Sequence, residues 1–296
     1  MHEKTAGPPP GPGRIFKLFG ILGNARVFAS HSPALFNAAL QHAGINGAYV
    51  PLRVEADQIA AALGGLRALN VAGVNVTVPF KETAIAHLDI LSEGAKIIGA
   101  INTIVCKGGK LKGFNTNAVG FMNALESAGF APAGRSALVF GSGGAARAVV
   151  FMLKWLQAGP IYVAGRDAAK TAALVQTIGG TALALADVAA AAPLAANIVV
   201  NATAVSSPDE SPEMDRLIRN LQVVGCELLV DLNYGREQNF WRDWARRGGV
   251  PFMDGVPVLV HQARRSFALW TGVEVKPEVC LAALGLDVRA LSPVAA

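Results

Sequence analysis

Cysteine is scarce: Cys106, Cys226 and Cys280 are the only three in a chain of 296 residues. They are widely separated, odd in number and never spaced as Cys-x-x-Cys, so neither a disulfide framework nor a zinc knuckle is supported. A reducing, cytoplasmic setting is expected. The five histidines, His2, His31, His42, His87 and His261, include no His-Glu-x-x-His and no pairing with nearby carboxylates, so no metal is expected. Long apolar runs are also missing. The alanine-rich stretch 181–205 is broken by Asp187, Pro193 and Asn197, which excludes a spanning helix there, and no membrane association is expected. Charge is thin, with 26 Lys and Arg against 21 Asp and Glu, a net +5. That excess suits an anionic ligand but is too small and scattered for a nucleic-acid surface. Even the densest pairs, Arg246 with Arg247 and Arg264 with Arg265, read as solvated helix faces. There is no internal repeat, and no signal separates a monomer from a homodimer.

Apolar residues, in contrast, make up 52% of the chain, enough at this length for two cores. Residues 1–13, with Pro8, Pro9, Pro10 and Pro12, lack the hydrophobic region of a signal peptide and read as a disordered leader. From Ile15 onward, short apolar runs alternate with segments of helical period, the pattern of an α/β protein with parallel sheets covered by helices. A first series places strands at 16–22, 48–52, 73–78 and 101–106, with helices after Pro33, after Ala56 and over 117–127. A second places strands at 137–141, 161–164, 197–201 and 228–231, separated by alanine-rich helices and Gly or Pro turns. Two helical patterns, 258–269 and 278–286, follow with no strand between them.

Strand 137–140 runs straight into Gly141-Ser142-Gly143-Gly144-Ala145-Ala146 and then a helical segment. A pyrophosphate needs this succession: Gly141 permits the sharp turn, Gly143 lets a phosphate approach the backbone, and Ala146 allows close helix packing, while amides and the helix dipole face the anion. Gly141, Ser142, Gly143, Gly144 and Ala145 are therefore candidate dinucleotide-binding residues. The next strand ends in Gly165-Arg166-Asp167, where such folds read the adenosine ribose. Arg166, with Lys170 one turn later, suits a 2′-phosphate and favours NADP, whereas Asp167 either reads a free 2′-hydroxyl or caps the helix, so NAD stays open. The expected division is a leader over 1–13, an α/β substrate domain over 14–115, a doubly wound Rossmann dinucleotide domain over 116–256, and helices over 257–296 that return to the first domain.

Polar clusters mark the first half. Ser30-His31-Ser32-Pro33 sets two hydroxyls before a proline able to open a helix, which suits a carboxylate. Asn75-Val76-Thr77-Val78-Pro79-Phe80-Lys81 puts Asn75 and Thr77 on one face of a strand end and a lysine after a turn. With Ala100-Ile101-Asn102-Thr103, Gly113-Phe114-Asn115-Thr116-Asn117, the glycine turn, Asn201-Ala202-Thr203, Asp231 to Tyr234, Asp254-Gly255 and Leu259 to Ala263, the order resembles the shikimate dehydrogenase family over nearly all of 17–286. The resemblance implies that Ser30 and Ser32 hold a substrate carboxylate and that Asn75, Thr77, Asn102, Tyr234 and Gln262 surround its hydroxyls and ring. It also implies Asn201, Thr203 and Gly255 along the cofactor, and Lys81 as the proton-transfer residue. The implied reaction passes hydride from the reduced cofactor to the ketone of 3-dehydroshikimate or a close relative, and Lys81 stabilises and protonates the developing alkoxide.

One position departs from the pattern in its chemistry. The family has a catalytic Asp where this chain has Asn117, and a carboxamide offers hydrogen bonds without charge or basicity. Phe114, Pro257 and Val258 are further departures, suggesting a divergent branch. A paralogue acting on another substrate, a variant carrying a substituted Asp, and a ligand-binding protein without turnover all remain open from the sequence.

Overall fold

The computed structural model describes residues 15–190 and 193–294, so the leader and residues 191–192 lie outside the described residues. The first half folds as β1 (Lys17–Gly23), α1 (Ser32–His42), β2 (Gly47–Arg53), α2 (Ile59–Ala68), β3 (Gly73–Val76), β4 (Ile90–Leu91), α3 (Glu93–Ile98), β5 (Thr103–Lys107) and β6 (Lys110–Phe114). These strands form one sheet in the order β2-β1-β3-β5-β6-β4. β1 pairs in parallel with β2 and β3, whereas β5 runs antiparallel to both β3 and β6. The sheet is thus mixed, not parallel throughout. The cause is a β5–β6 hairpin absent from the sequence reading, whose two-residue turn, Gly108-Gly109, takes the left-handed φ values of 58° and 71° that glycine permits. Alternation along β1 sends Phe19 and Ile21 into one core with Leu35 and Phe36 of α1, and Leu22 into the other with Leu63 of α2 and Val74 and Val76 of β3.

After α4 (Thr116–Ser127) the second half contains β7 (Ala137–Phe140), α5 (Gly144–Trp155), β8 (Ile161–Gly165), α6 (Ala168–Ile178), β9 (Thr181–Ala184), α7 (Leu185–Ala190), β10 (Leu194–Ala195) and β11 (Ile198–Asn201). It continues with α8 (Pro212–Arg219), β12 (Val223–Val224), β13 (Leu228–Asp231), α9 (Phe240–Arg247) and β14 (Phe252–Met253). Apart from the small β10–β12 pair, these strands form one parallel sheet in the order β14-β13-β11-β7-β8-β9. Counted along this half, that is the 3-2-1-4-5-6 order of a doubly wound dinucleotide fold, with its crevice between β7 and β11 where the order reverses. Both faces of β7 are buried, Ala137 and Val139 on the α5 side and Leu138 and Phe140 against Trp241 of α9. Where the sequence reads only alanine-rich helix between the strands at 161–164 and 197–201, residues 181–184 extend the sheet edge as β9, followed by the short α7.

The last two helices, α10 (Val256–Thr271) and α11 (Pro277–Ala282), join the first half, since Val260, Ala263 and Phe267 pack with Phe19 and Phe36. Val258 of the same α10 belongs to the β7 core. α4 packs against α10 so closely that a methyl group at Gly120 would lie 2.8 Å from the Val258 carbonyl oxygen. These two helices bring Asn117, Phe121, Val258, Leu259 and Gln262 to one cavity.

Candidate active site

β3 ends at Val76, and the chain turns through Thr77 and Pro79 before Lys81. Buried Phe80 anchors the turn, and the Lys81 carbonyl accepts from the Ile101 amide at 2.7 Å, so the lysine backbone is fixed from both sides. Its side chain turns inward, and Nζ donates to Oδ1 of Asn117 at 2.8 Å. Asn117 stands in the first turn of α4, which Asn115 caps by accepting from the Ala118 amide while donating to the Ala100 carbonyl. Because an ammonium only donates, it requires the oxygen of the carboxamide. Burial pulls the Lys81 ammonium down to about 8, and the uncharged Asn117 supplies no countercharge to restore it.

Lys81, Asn117, Tyr234, Gly255, Leu259 and Gln262 line one cavity, together with residues of α4 and α5. Beneath it lies a continuous hydrogen-bonded network. The Tyr49 hydroxyl donates to Asn75 Oδ1 at 2.8 Å, and the Asn75 amide donates to the Asn102 carbonyl, Thr103 Oγ1 and Ser266 Oγ. Thr103, Thr116 and Ser266 bring their hydroxyls within 2.8 to 3.1 Å of one another. Asn102 donates to Thr116 Oγ1 and to Gln262 Oε1, and accepts from the Thr116 amide. Ser32 lies against the Tyr49 phenol, and Ser30 Oγ accepts from the Ser32 amide at 3.2 Å. Pro33 sits in the first turn of α1, as its place in the sequence suggests. Asn75 is 5% exposed, and all its polar sites are engaged within the protein. It supports the floor of the cleft together with Asn102, which is 3% exposed, while half-buried Thr77 lies nearer the surface. Tyr49 and Ser266 are absent from the sequence reading, and Thr103 and Thr116 enter it only as motif members without a role.

Ala145, at the end of the glycine turn, lines the same cavity. Gly141 has φ 116°, and a methyl group there would lie 2.9 Å from the Ala202 carbonyl oxygen, so the turn and the end of β11 close together at the crevice. Gly143 has open space where a side chain would stand, and as N-cap of α5 it offers no side-chain cap, leaving the first amides of that helix available to an anion. A methyl group at Gly144 would lie 3.4 Å from Lys81 Cβ, which sets the helix start and the lysine side by side. Arg147 reinforces that contact by donating through Nε to the Ile98 carbonyl. Gly165 accommodates the Ser142 hydroxyl, and Arg166 beyond it is exposed. Asp167 caps α6, accepting from the Lys170 amide at 3.0 Å, the helix-capping role its place in the sequence allows.

Thr203 and Gly255 flank the crevice, Gly255 packed so tightly that a methyl group would meet the Leu232 carbonyl oxygen at 2.2 Å. Asn201 is fully buried, donating to Asp231, Ser206 and the Val205 carbonyl and accepting from the Thr203 amide and hydroxyl. It ties the ends of β11 and β13 together and orients Thr203. No group of metal-ligating side chains occurs among the described residues, and no helix among them is long and apolar enough to cross a membrane.

Comparison with known proteins matches residues 21–104 to the shikimate dehydrogenase substrate binding domain and 255–284 to the shikimate 5′-dehydrogenase C-terminal domain. A protein of Desulforamulus reducens named shikimate dehydrogenase (NADP(+)) is 38% identical over 283 residues, covering 91% of this chain and 94% of its own. The crystal structure of shikimate dehydrogenase from Aquifex aeolicus superposes with a TM-score of 0.80 at 31% identity, covering 91% of this chain and 97% of its own. The Thermus thermophilus enzyme, solved in complex with NADP(H) and shikimate, superposes with a TM-score of 0.78 at 34% identity, covering 93% and 99%. With these likenesses spanning both halves and the cleft between them, the chain belongs to the shikimate dehydrogenase family.

Proposed function

We propose that this protein catalyses the NADP-linked interconversion of 3-dehydroshikimate and shikimate, or of a close analogue, in the cytoplasm. The observation that carries the reading is the position of Lys81, whose ammonium enters the cleft beside the start of the helix that follows the glycine turn. On this reading residues 14–115 and 257–296 hold the acid and residues 116–256 hold the dinucleotide.

The acid's carboxylate lies on the hydroxyls of Ser30 and Ser32. Thr77, Asn102, Gln262 and Tyr234 surround its hydroxyls and ring, with Asn75 fixing Asn102 and the cleft floor. Gly141 to Ala145 receive the pyrophosphate, Arg166 the 2′-phosphate, and Thr203 and Gly255 border the crevice toward the reacting ring. The bound nicotinamide supplies or accepts hydride. As negative charge develops on the substrate's ketone oxygen, Lys81 faces it with a positive charge and gives up a proton. In the reverse direction neutral Lys81 takes the hydroxyl proton, and a side chain held near 8 serves both directions close to neutral pH. Asn117 holds the ammonium in place and takes no part in proton exchange.

A second reading, favoured only by Asn117, is that the cleft binds such an acid without rapid turnover. Purified protein given 3-dehydroshikimate with NADPH or NADH, and shikimate with the oxidised forms, separates the two. Loss or gain of reduced-cofactor absorbance supports the first reading, and absence of both turnover and acid binding rejects each. Arg166 has its own test. A charge-assisted hydrogen bond is worth about 1.5–3 kcal/mol, so Arg166→Gln is expected to raise KM for NADP by about tenfold or more, with KM for NAD within about twofold. Equal changes for both cofactors would remove Arg166 from phosphate recognition.

A further inference from the structure

The residue between the two serines is His31, on the first half of the chain, and its imidazole stacks on the ring of Tyr234, on the loop after β13 of the second half. The ring centroids are 5.1 Å apart and the planes inclined by 27°. Tyr234 lines the same cavity as Lys81, Asn117 and Gln262, so the stack stands at the rim of the cleft and spans its two walls. Tyr234 is fixed in turn, since Arg236, paired with Glu210, donates to its carbonyl. The imidazole is exposed, and among the described residues neither ring nitrogen has a hydrogen-bond or ion-pair partner. It precedes α1 without capping it, as no side-chain bond from His31 reaches the helix amides.

A large polar side chain is thereby oriented at the cleft with its donors unspent, beside the two hydroxyls to which the acid's carboxylate was assigned. We propose that His31 is a third binding residue for the anionic end of the substrate, oriented by its stack on Tyr234, and that it makes the site select acids over their neutral analogues. This inference rests on the assignment of the carboxylate to Ser30 and Ser32. An imidazole donates from at least one ring nitrogen in either charge state, and a carboxylate accepts several bonds, so all three groups can be served at once. The stack restricts the ring before the ligand arrives, which lowers the ordering cost of the contact. Since the two rings come from opposite walls, the contact is complete only with the walls together.

The test uses the full chain and two probes, shikimate and its methyl ester, titrated calorimetrically against the parent, His31→Phe and Ser30→Ala. Phenylalanine keeps a ring for the stack and removes the nitrogens. His31→Phe is expected to weaken shikimate binding about tenfold, the size of one charge-assisted bond, and to change binding of the ester less than about twofold. Ser30→Ala is expected to weaken shikimate as well. Should His31→Phe bind shikimate like the parent while Ser30→Ala does not, or weaken acid and ester alike, the role of His31 is overturned and the carboxylate assignment stands. Should neither substitution alter shikimate binding, the carboxylate assignment falls, and the role of His31 with it.

Discussion

Lys81→Met lowers kcat for ketone reduction by about 10²- to 10⁴-fold, the usual range for loss of a positioned general acid. Methionine matches the length of the stem and removes the proton. Acid binding is expected to survive within about tenfold, because the hydroxyls and amides of the cleft floor are bonded to one another and do not depend on the lysine. The parent carries a pH signature of the same residue. With the ammonium held at about 8, kcat/KM for reduction falls as pH rises through that value, since the proton donor is lost. Oxidation has the opposite sign, rising toward the same pH as the amine becomes able to accept. Steady-state rates in both directions across pH check this. A Lys81→Met protein that keeps more than a tenth of the parent's kcat would remove the lysine from the chemistry.

Asn117→Asp is expected to raise kcat by about 10- to 100-fold, the lower part of the range for acid–base assistance, and to move both pH limbs upward. The physical cause is the 2.8 Å contact with Lys81 Nζ. An ionised carboxylate at that distance favours the ammonium, so the lysine pKa rises above about 8 while the new carboxyl's falls below its ordinary range. The two groups then titrate as a pair, and the limbs of the rate profile report the pair. The carboxylate also provides a basic exit for the proton that a carboxamide lacks. A decrease in rate would mean that the substrate brings its own negative group to this spot and that Asn117 fits it by being neutral. Turnover appearing only in the variant would make the parent a binding protein.

Legibility in the sequence differed between the two halves for a physical reason. A doubly wound sheet announces itself through buried, continuously apolar strands and one glycine-rich turn, and β7, β8, β11 and β13 fall within a residue of their expected positions. In the first sheet, β6 alternates Lys110, Leu111 and Lys112 with one face exposed, a weaker signal, although the Gly108-Gly109 pair between two short runs is a hairpin mark that could have found it. The site residues show a second limit. Motif order brings Lys81, Asn117 and the glycine turn to one cleft, and they do meet there. It does not tell which amide faces the cavity and which lies below it. Asn75 pairs in register with Thr103 and is covered by Ser266, 191 positions away on α10. Asn201 is likewise claimed by Asp231 and Ser206. Only tertiary packing reveals such burial, because a polar residue under a site and one lining it look alike in a strand-end pattern.

The polar network beneath the cleft leaves no buried side-chain nitrogen or oxygen without a partner among the described residues. From Tyr49 through Asn75, the three clustered hydroxyls and Asn102 to Gln262, donors and acceptors are matched to one another, and Asn75 Oδ1 is served by the Tyr49 hydroxyl. Removing one member strands another, at a cost of about 1–3 kcal/mol, while exchanging two facing members together can be nearly neutral. Inheritance in this region is accordingly corporate: drift there arrives in compensated couples, and lineages that reshape the cavity are to be sought among simultaneous swaps on strands and helices far apart in the chain.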